Sequence, residues 1–246
     1  MPSFWNSKFV TGAVAVALAL PVLAPAVAQA AIVVASSGPS AASYPVGKKL
    51  DDAGTITLRA GDTLTVLDGK GTRVLRGAGT FPVAAAAGTR AKGATFAVLT
   101  MQRSAQRVRT GAVRTGVGAD APASPNLWFI DVAKLGKRCL VAGQPVRLWR
   151  LDTAAAATYT VAPASGGSAV PVTFAAGSGV APWDAAKLPV TDGGRYSVSA
   201  DGKALSTVET ALLPRRPADA ESAAAVLIDK GCTAQLDLLA TTMGQP

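Results

Sequence analysis

Gly54-Thr55-Ile56-Thr57-Leu58-Arg59-Ala60-Gly61-Asp62-Thr63-Leu64-Thr65-Val66-Leu67-Asp68-Gly69 alternates polar and apolar residues twice, with turns at Ala60-Gly61-Asp62 and from Asp68-Gly69. The rhythm continues through Gly69-Lys70-Gly71, Thr72-Arg73-Val74-Leu75-Arg76, Gly77-Ala78-Gly79 and Thr80-Phe81. Short runs of period two, split by Asp-Gly and Gly-x-Gly turns, predict a small antiparallel β meander. Ile56, Leu58, Leu64, Val66 and Val74 would form its apolar face, and Thr and Arg the wet one. Upstream, Ile32-Val33-Val34 opens a strand that Ser37-Gly38-Pro39-Ser40 ends. The glycine pairs read as hairpin turns, since no helix follows them and the third glycine of a dinucleotide fingerprint is missing.

Val46-Gly47-Lys48-Lys49-Leu50, followed by Gly54–Leu58, Gly61–Gly69 and Gly71–Leu75, resembles the periplasmic β domain of FecR-type envelope proteins. The resemblance covers residues 46–75 and consists mostly of turn glycines. It implies a β module that contacts partner proteins or glycans and does no chemistry. FecR regulators also carry a membrane anchor and a cytoplasmic sigma-factor-binding segment. Neither is expected here after signal cleavage, so the resemblance does not imply a sigma-regulator role.

Further along, the composition shifts toward a second module, residues 126–246. Strands are predicted at Asn126–Asp131, Gln144–Leu151, Thr158–Val161, Ala169–Phe174, Tyr196–Ser199 and Ala204–Glu209, mostly separated by turn residues. Such spacing suggests an immunoglobulin-like β-sandwich. Asp192-Gly193-Gly194-Arg195-Tyr196 looks like the D-x-G-x-Y corner of such domains, where a tyrosine hydroxyl pins a crossover to backbone. Val198 stands where antibody domains have a cysteine, so their inter-sheet bridge is absent. The period then changes to that of a helix. Asp219 and Glu221 open it, Lys230-Gly231 close it, and Ala224, Leu227 and Ile228 form its stripe. A second short helix fits Thr233–Met243, with Leu236, Leu239 and Ala240 on one face. The fold class is therefore mainly β: a small antiparallel β module, then an Ig-like sandwich with a short helical C-terminal tail.

Between the modules, residues 84–125 read as a basic helix and linker. Ala94–Arg109 can be laid on a helix with Val98, Met101, Ala105 and Val108 on one stripe, although a short strand competes for its first half. Gly118–Pro125 reads as the interdomain linker.

The formal charge of +9 is unevenly distributed, and there is no histidine. Residues 31–119 hold twelve Lys+Arg against four Asp, a net of +8, whereas residues 120–246 hold eleven of each sign. Between Asp68 and Asp120 there is no acid. Such asymmetry suggests that one module meets an anionic partner, with solvated surface cations as the plainer alternative. Arg73, Arg76, Arg103, Arg107, Arg109 and Arg114 are the candidate contacts. Nucleic acid is disfavoured, because Phe81 and Phe96 are the only aromatics in the basic stretch. Lacking histidine, the chain has no Ser-His or Cys-His pair and no His-ligated zinc. No metal or cofactor motif stands out. Asp152 in Leu151-Asp152-Thr153-Ala154 lacks the glycine of an aspartic-protease turn, and Asp51-Asp52 beside Lys48-Lys49 reads as a solvated turn.

Residues 1–30 have the parts of a secretory signal peptide: Lys8 in the n-region, an apolar run from Phe9 to Leu23, and Val27-Ala28-Gln29-Ala30 as cleavage site. Cleavage after Ala30 would give a periplasmic or secreted protein with no integral membrane segment; an uncleaved membrane anchor is the alternative. In that compartment Cys139 and Cys232, the only cysteines, are expected to form a structural disulfide. Closing so long a loop stabilises by about 4–5 kcal/mol on the chain-entropy account; free thiols or a redox pair are the alternatives.

The expected function is a non-catalytic exported envelope protein. Its basic N-terminal module, residues 31–83 with the adjoining basic segment, would bind an acidic envelope protein, an anionic glycan or a lipid head group. The alternative is an envelope hydrolase using a pair of Asp carboxylates, which no sequence pattern excludes.

Overall fold

Ala31-Ile32-Val33-Val34 places four apolar residues in succession, too many for a strand with one wet face. The structure, a computed structural model describing residues 1, 29–84, 93–101, 124–134 and 136–244, buries all four. Of the signal-peptide reading, residues 1–30, residues 2–28 lie outside the described residues, while Gln29 and Ala30 begin the first strand. Strand β1 (Gln29–Ser37) is followed by β2 (Lys49–Asp51), β3 (Thr55–Leu58), β4 (Thr63–Asp68), β5 (Gly71–Arg76) and β6 (Gly79–Pro82). All their pairings are antiparallel, but the order is not a meander: one sheet runs β2-β1-β4-β5, and β3 pairs with β6 in a separate ribbon.

The two apolar faces of β1 explain this order. Ala31 and Val33 join Leu50, Ile56, Leu58, Leu64, Val66 and Val83 in a core between sheet and ribbon. Ile32 and Val34, with Leu67, face the opposite way into a helical layer. A strand apolar on both sides belongs in the middle, so β1 sits between β2 and β4 while β3 crosses to β6. The expected place of Val74 on the apolar face is corrected by register. Leu75 lies opposite Leu64, whereas Val74 lies opposite Thr65 and is 47% exposed.

Helix α1 (Gly93–Thr100) comes next, then β7 (Ile130–Asp131), β8 (Gly136–Val141), β9 (Arg147–Trp149), β10 (Ala157–Pro163), β11 (Val170–Phe174), β12 (Val180–Pro182), β13 (Arg195–Ala200) and β14 (Lys203–Leu213). These strands form a sandwich whose sheets run β11-β10-β13-β14-β8 and β12-β9-β7. Ile130, Leu148, Val161, Val172, Phe174, Trp183, Tyr196, Val198 and Val208 fill its core. The tyrosine corner is present: Tyr196 Oη donates to Pro189 O (2.9 Å) and accepts from Thr191 N (3.0 Å). Asn126–Asp131 forms a strand only at its last two residues, although Leu127, Trp128 and Phe129 are buried.

Helices α2 (Ala220–Lys230) and α3 (Thr233–Gly244) end the chain. Asp219 caps α2, accepting from Ser222 N (2.7 Å), and Ser222 Oγ accepts from Asp219 N (3.2 Å). At the other end Gly231 has φ 71°, which lets its N–H and that of Cys232 turn back to Ile228 O and Leu227 O. Helix α2 packs on β1 and β4 of the first sheet, and α3 on β5 of that sheet and on β8. One core joins Ile32, Val34 and Leu67 with Leu127, Trp128, Val141 and Leu213 through Ala224, Leu227, Leu236, Leu239 and Met243.

Within this core Cys139 and Cys232 are disulfide-bonded, with Cα atoms 5.9 Å apart across a sequence separation of 93. Gln235, 1% exposed, covers the free edge of β8 beside the bond. Its Oε1 accepts from Cys139 N (2.7 Å), and its Nε2 donates to Cys139 O (2.8 Å) and Leu127 O (2.7 Å). A side-chain amide thus stands in for a neighbouring strand.

Candidate functional site

The charge of the first module divides once the fold is in view. Residues 31–84 carry six cations (Lys48, Lys49, Arg59, Lys70, Arg73 and Arg76) against four Asp, a net of +2. The remaining six cations, Arg90, Lys92, Arg103, Arg107, Arg109 and Arg114, occur in residues 85–92 and 102–123 against a single acid, Asp120. Four of the six candidate contacts, Arg103, Arg107, Arg109 and Arg114, therefore lie outside the described residues. Most of the positive charge belongs to the segment after the sheets, not to the sheets.

The two described candidates differ. Arg73, on the inner side of β5, is partly buried; its guanidinium donates to Val83 O and, at 3.5 Å, to Pro82 O, and lies 3.7 Å from Asp68. It fastens β5 to the end of β6. Arg76 is exposed at the end of β5 and is available for contact. Two further arginines are buried in the sandwich. Arg150 donates to Ala155 O, Ala175 O and Ser178 O and stacks 4.9 Å over the Phe174 ring. Arg138 is pushed below the usual arginine range by burial, against the opposing pull of the Asp131 charge.

The carboxylates are largely occupied in the backbone. Asp51, Asp68, Asp131, Asp152 and Asp184 each accept the N–H two residues on, at 2.7–3.2 Å, as turns require. Asp62 accepts from Ser40 N (2.9 Å) and Arg59 N (2.5 Å). Burial raises its pKa, yet these bonds and the Arg59 charge hold it below the ordinary value. Asp192 accepts from Leu212 N (2.7 Å). Glu221, in the first turn of α2, is raised above the usual range by burial and then by the charges of Asp219 and Asp68, against a hydrogen bond from Gly69 N–H. Among the described residues no three Cys, Asp or Glu side chains gather as a metal site.

Two open hollows flank α2. One, about 210 Å³, is bordered by Lys49, Asp219, Glu221 and Ser222. The other, about 250 Å³, lies between α1 and the start of α2, with Phe96, Ala97, Met101, Pro217, Ala218 and Met243 around it and Arg216 at its side.

Helix α1 corrects the expected stripe. Phe96, Leu99 and Thr100 face the core, whereas Val98 (53% exposed) and Met101 (50%) face out; Ala105 and Val108 lie outside the described residues. The helix is anchored at its C-terminal end, where Asn126 Nδ2 donates to Met101 O (2.8 Å) and Leu127 N to Leu99 O (2.9 Å). Sequence periodicity does not reveal this outer surface, because apolar residues occupy both faces and Val98 and Met101 form the strongest i, i+3 pair. Among the described residues no helix is long and apolar enough to cross a membrane. No protein-family model, curated protein or solved structure matches the chain.

Proposed function

We propose that this chain is a non-catalytic exported protein of the cell envelope that binds an anionic or acidic envelope component through its cationic segment, residues 85–123, with Arg76 as an adjoining contact. The observation carrying this reading is the division of labour among cations. Arg73 and Arg150 are hydrogen-bonded to backbone, while six cations against one acid, Asp120, occur in the segment between the modules. Charge of one sign in a connecting segment is attracted to polyanions over roughly a Debye length, about 8–10 Å at physiological salt. The engagement of the aspartates as turn and cap acceptors supports binding over the hydrolase alternative. An acid or base carboxylate must be free to exchange a proton with substrate.

Crosslinking and pull-down from envelope extracts tests the proposal. Capture should fall from low to high salt and should fall again when Arg103, Arg107, Arg109 and Arg114 are replaced by Gln. Capture indifferent to both changes would overturn it.

A further inference from the structure

We infer that the outer face of α1 is a docking surface for an anionic lipid bilayer. This rests on the anion-binding reading and specifies its partner. Ala94, Ala97, Val98 and Met101 follow the i, i+3, i+4, i+7 spacing of one helical face, and all four are exposed. The opposite face is buried through Phe96, Leu99 and Thr100. No residue of α1 is charged, and its polar side chains, Thr95 and Thr100, belong to the inner half. A helix apolar all round is normally covered all round, whereas an outward face in water normally carries charge. Among the described residues the outer face of α1 carries no charge and is left exposed, and the apolar hollow beside it, lined by Met101, Ala97, Pro217 and Met243, extends that surface.

The charge that flanks it in sequence indicates what covers it. Arg90 and Lys92 precede the helix in sequence, Arg103 and Arg107 follow it, and no acid occurs between Asp68 and Asp120. Among the described residues, Arg216 borders the hollow and Arg215 beside it is exposed. Asp219 also borders the hollow, but its carboxylate is bound to Ser222 N as the helix cap. An anionic bilayer offers apolar depth for Val98 and Met101 together with phosphate charge for the arginines. A soluble polyanion offers only the charge and would leave the helix face wet. So small an apolar face is insufficient alone; interfacial binding takes an apolar contribution plus basic residues, each of which adds about fivefold to affinity at an anionic surface.

Flotation of the exported full chain with lipid vesicles tests the inference. Wild type should float with phosphatidylcholine vesicles containing phosphatidylglycerol, far less with phosphatidylcholine alone, and less at high salt. Val98→Ser with Met101→Ser should lower partition about tenfold, by removing apolar area from the contact, and Met101→Leu should retain it. Because both side chains are exposed, the double variant should melt like wild type; if it does not, Met101→Gln alone is compared with Met101→Leu. Equal flotation of the Ser variant and wild type overturns the role of the helix face. Absence of flotation overturns the lipid partner. If dextran sulfate still retains the protein in a salt-sensitive manner, the anion-binding reading survives that result; if it does not, both fall. Val98- and Met101-dependent capture of an acidic protein, without flotation, replaces the bilayer by a protein surface.

Discussion

Gln235 is the most demanding test of how helix α3 is held to the sandwich. Its three hydrogen bonds, all 2.7–2.8 Å, satisfy the N–H and C=O of Cys139 on the free edge of β8 and the C=O of Leu127. Gln235→Met keeps length and most of the volume but removes all three. An orphaned buried N–H costs about 1–3 kcal/mol, and the two carbonyls cost less each because each has a second lone pair. The expected loss is about 3–5 kcal/mol, a large part of the roughly 5–15 kcal/mol that holds a typical domain folded.

Gln235→Glu separates polarity from packing. It places a carboxylate against two carbonyls, so burial raises its folded pKa above the unfolded one. The stability of that variant is then greatest at low pH, where the acid is protonated and can donate one bond, and falls as pH rises through the folded pKa. Denaturant unfolding followed by tryptophan fluorescence at several pH values reads both effects. Gln235→Met within about 1 kcal/mol of wild type at unchanged m, or a Glu variant whose deficit does not grow with pH, would refute the reasoning.

The other predictions concern the covalent link, one turn and one titration. Cys139→Ser with Cys232→Ser should lower stability by about 4–5 kcal/mol on the chain-entropy account; two titratable thiols in the unreduced exported protein would refute the bridge. Gly38→Ala should destabilise by about 1–3 kcal/mol, since Gly38 has φ +100° and an added Cβ would meet Asp62 Oδ1 at 2.5 Å and backbone at 2.8 Å. A melting temperature equal to wild type would contradict that geometry. Gly194→Ala should loosen the tyrosine corner, where the new Cβ would lie 2.7 Å from Tyr196 Oη, visible as faster amide exchange in β13. Glu221 has a raised folded pKa, so the folded state holds its proton longer than the unfolded chain does. Its contribution is fully present below the unfolded pKa and is lost as pH rises through the folded one. Glu221→Gln should therefore flatten the stability–pH curve in that window, and an unaltered slope would dismiss the shift.

Local patterns were legible in the sequence, and non-local choices were not. The alternation at 55–58 and 63–67 marked β3 and β4, and the Asp219 and Gly231 caps marked α2, because each signal lies within a few residues of its effect. The order of the first sheet depends on β1 being apolar on both faces and meeting two separate cores, a condition set by helices nearly 200 residues away in sequence. Strand β8 is not legible in the local sequence for a related reason. Gly136-Lys137-Arg138 opens it with two cations, one of them buried, and Cys139-Leu140-Val141 breaks alternation because its sides face different cores. The candidate site divides the same way. Counting locates the cations, but only the packing of β5 against the end of β6 shows that Arg73 is a fastening and Arg76 is not. In α1 apolar residues fill every side, so period alone selects no inner face; the Phe96 and Leu99 side fits the core, and the Val98 and Met101 side is left over. That residue of the packing problem is what gives α1 an outward apolar face in a segment whose neighbours in sequence are all cationic or neutral.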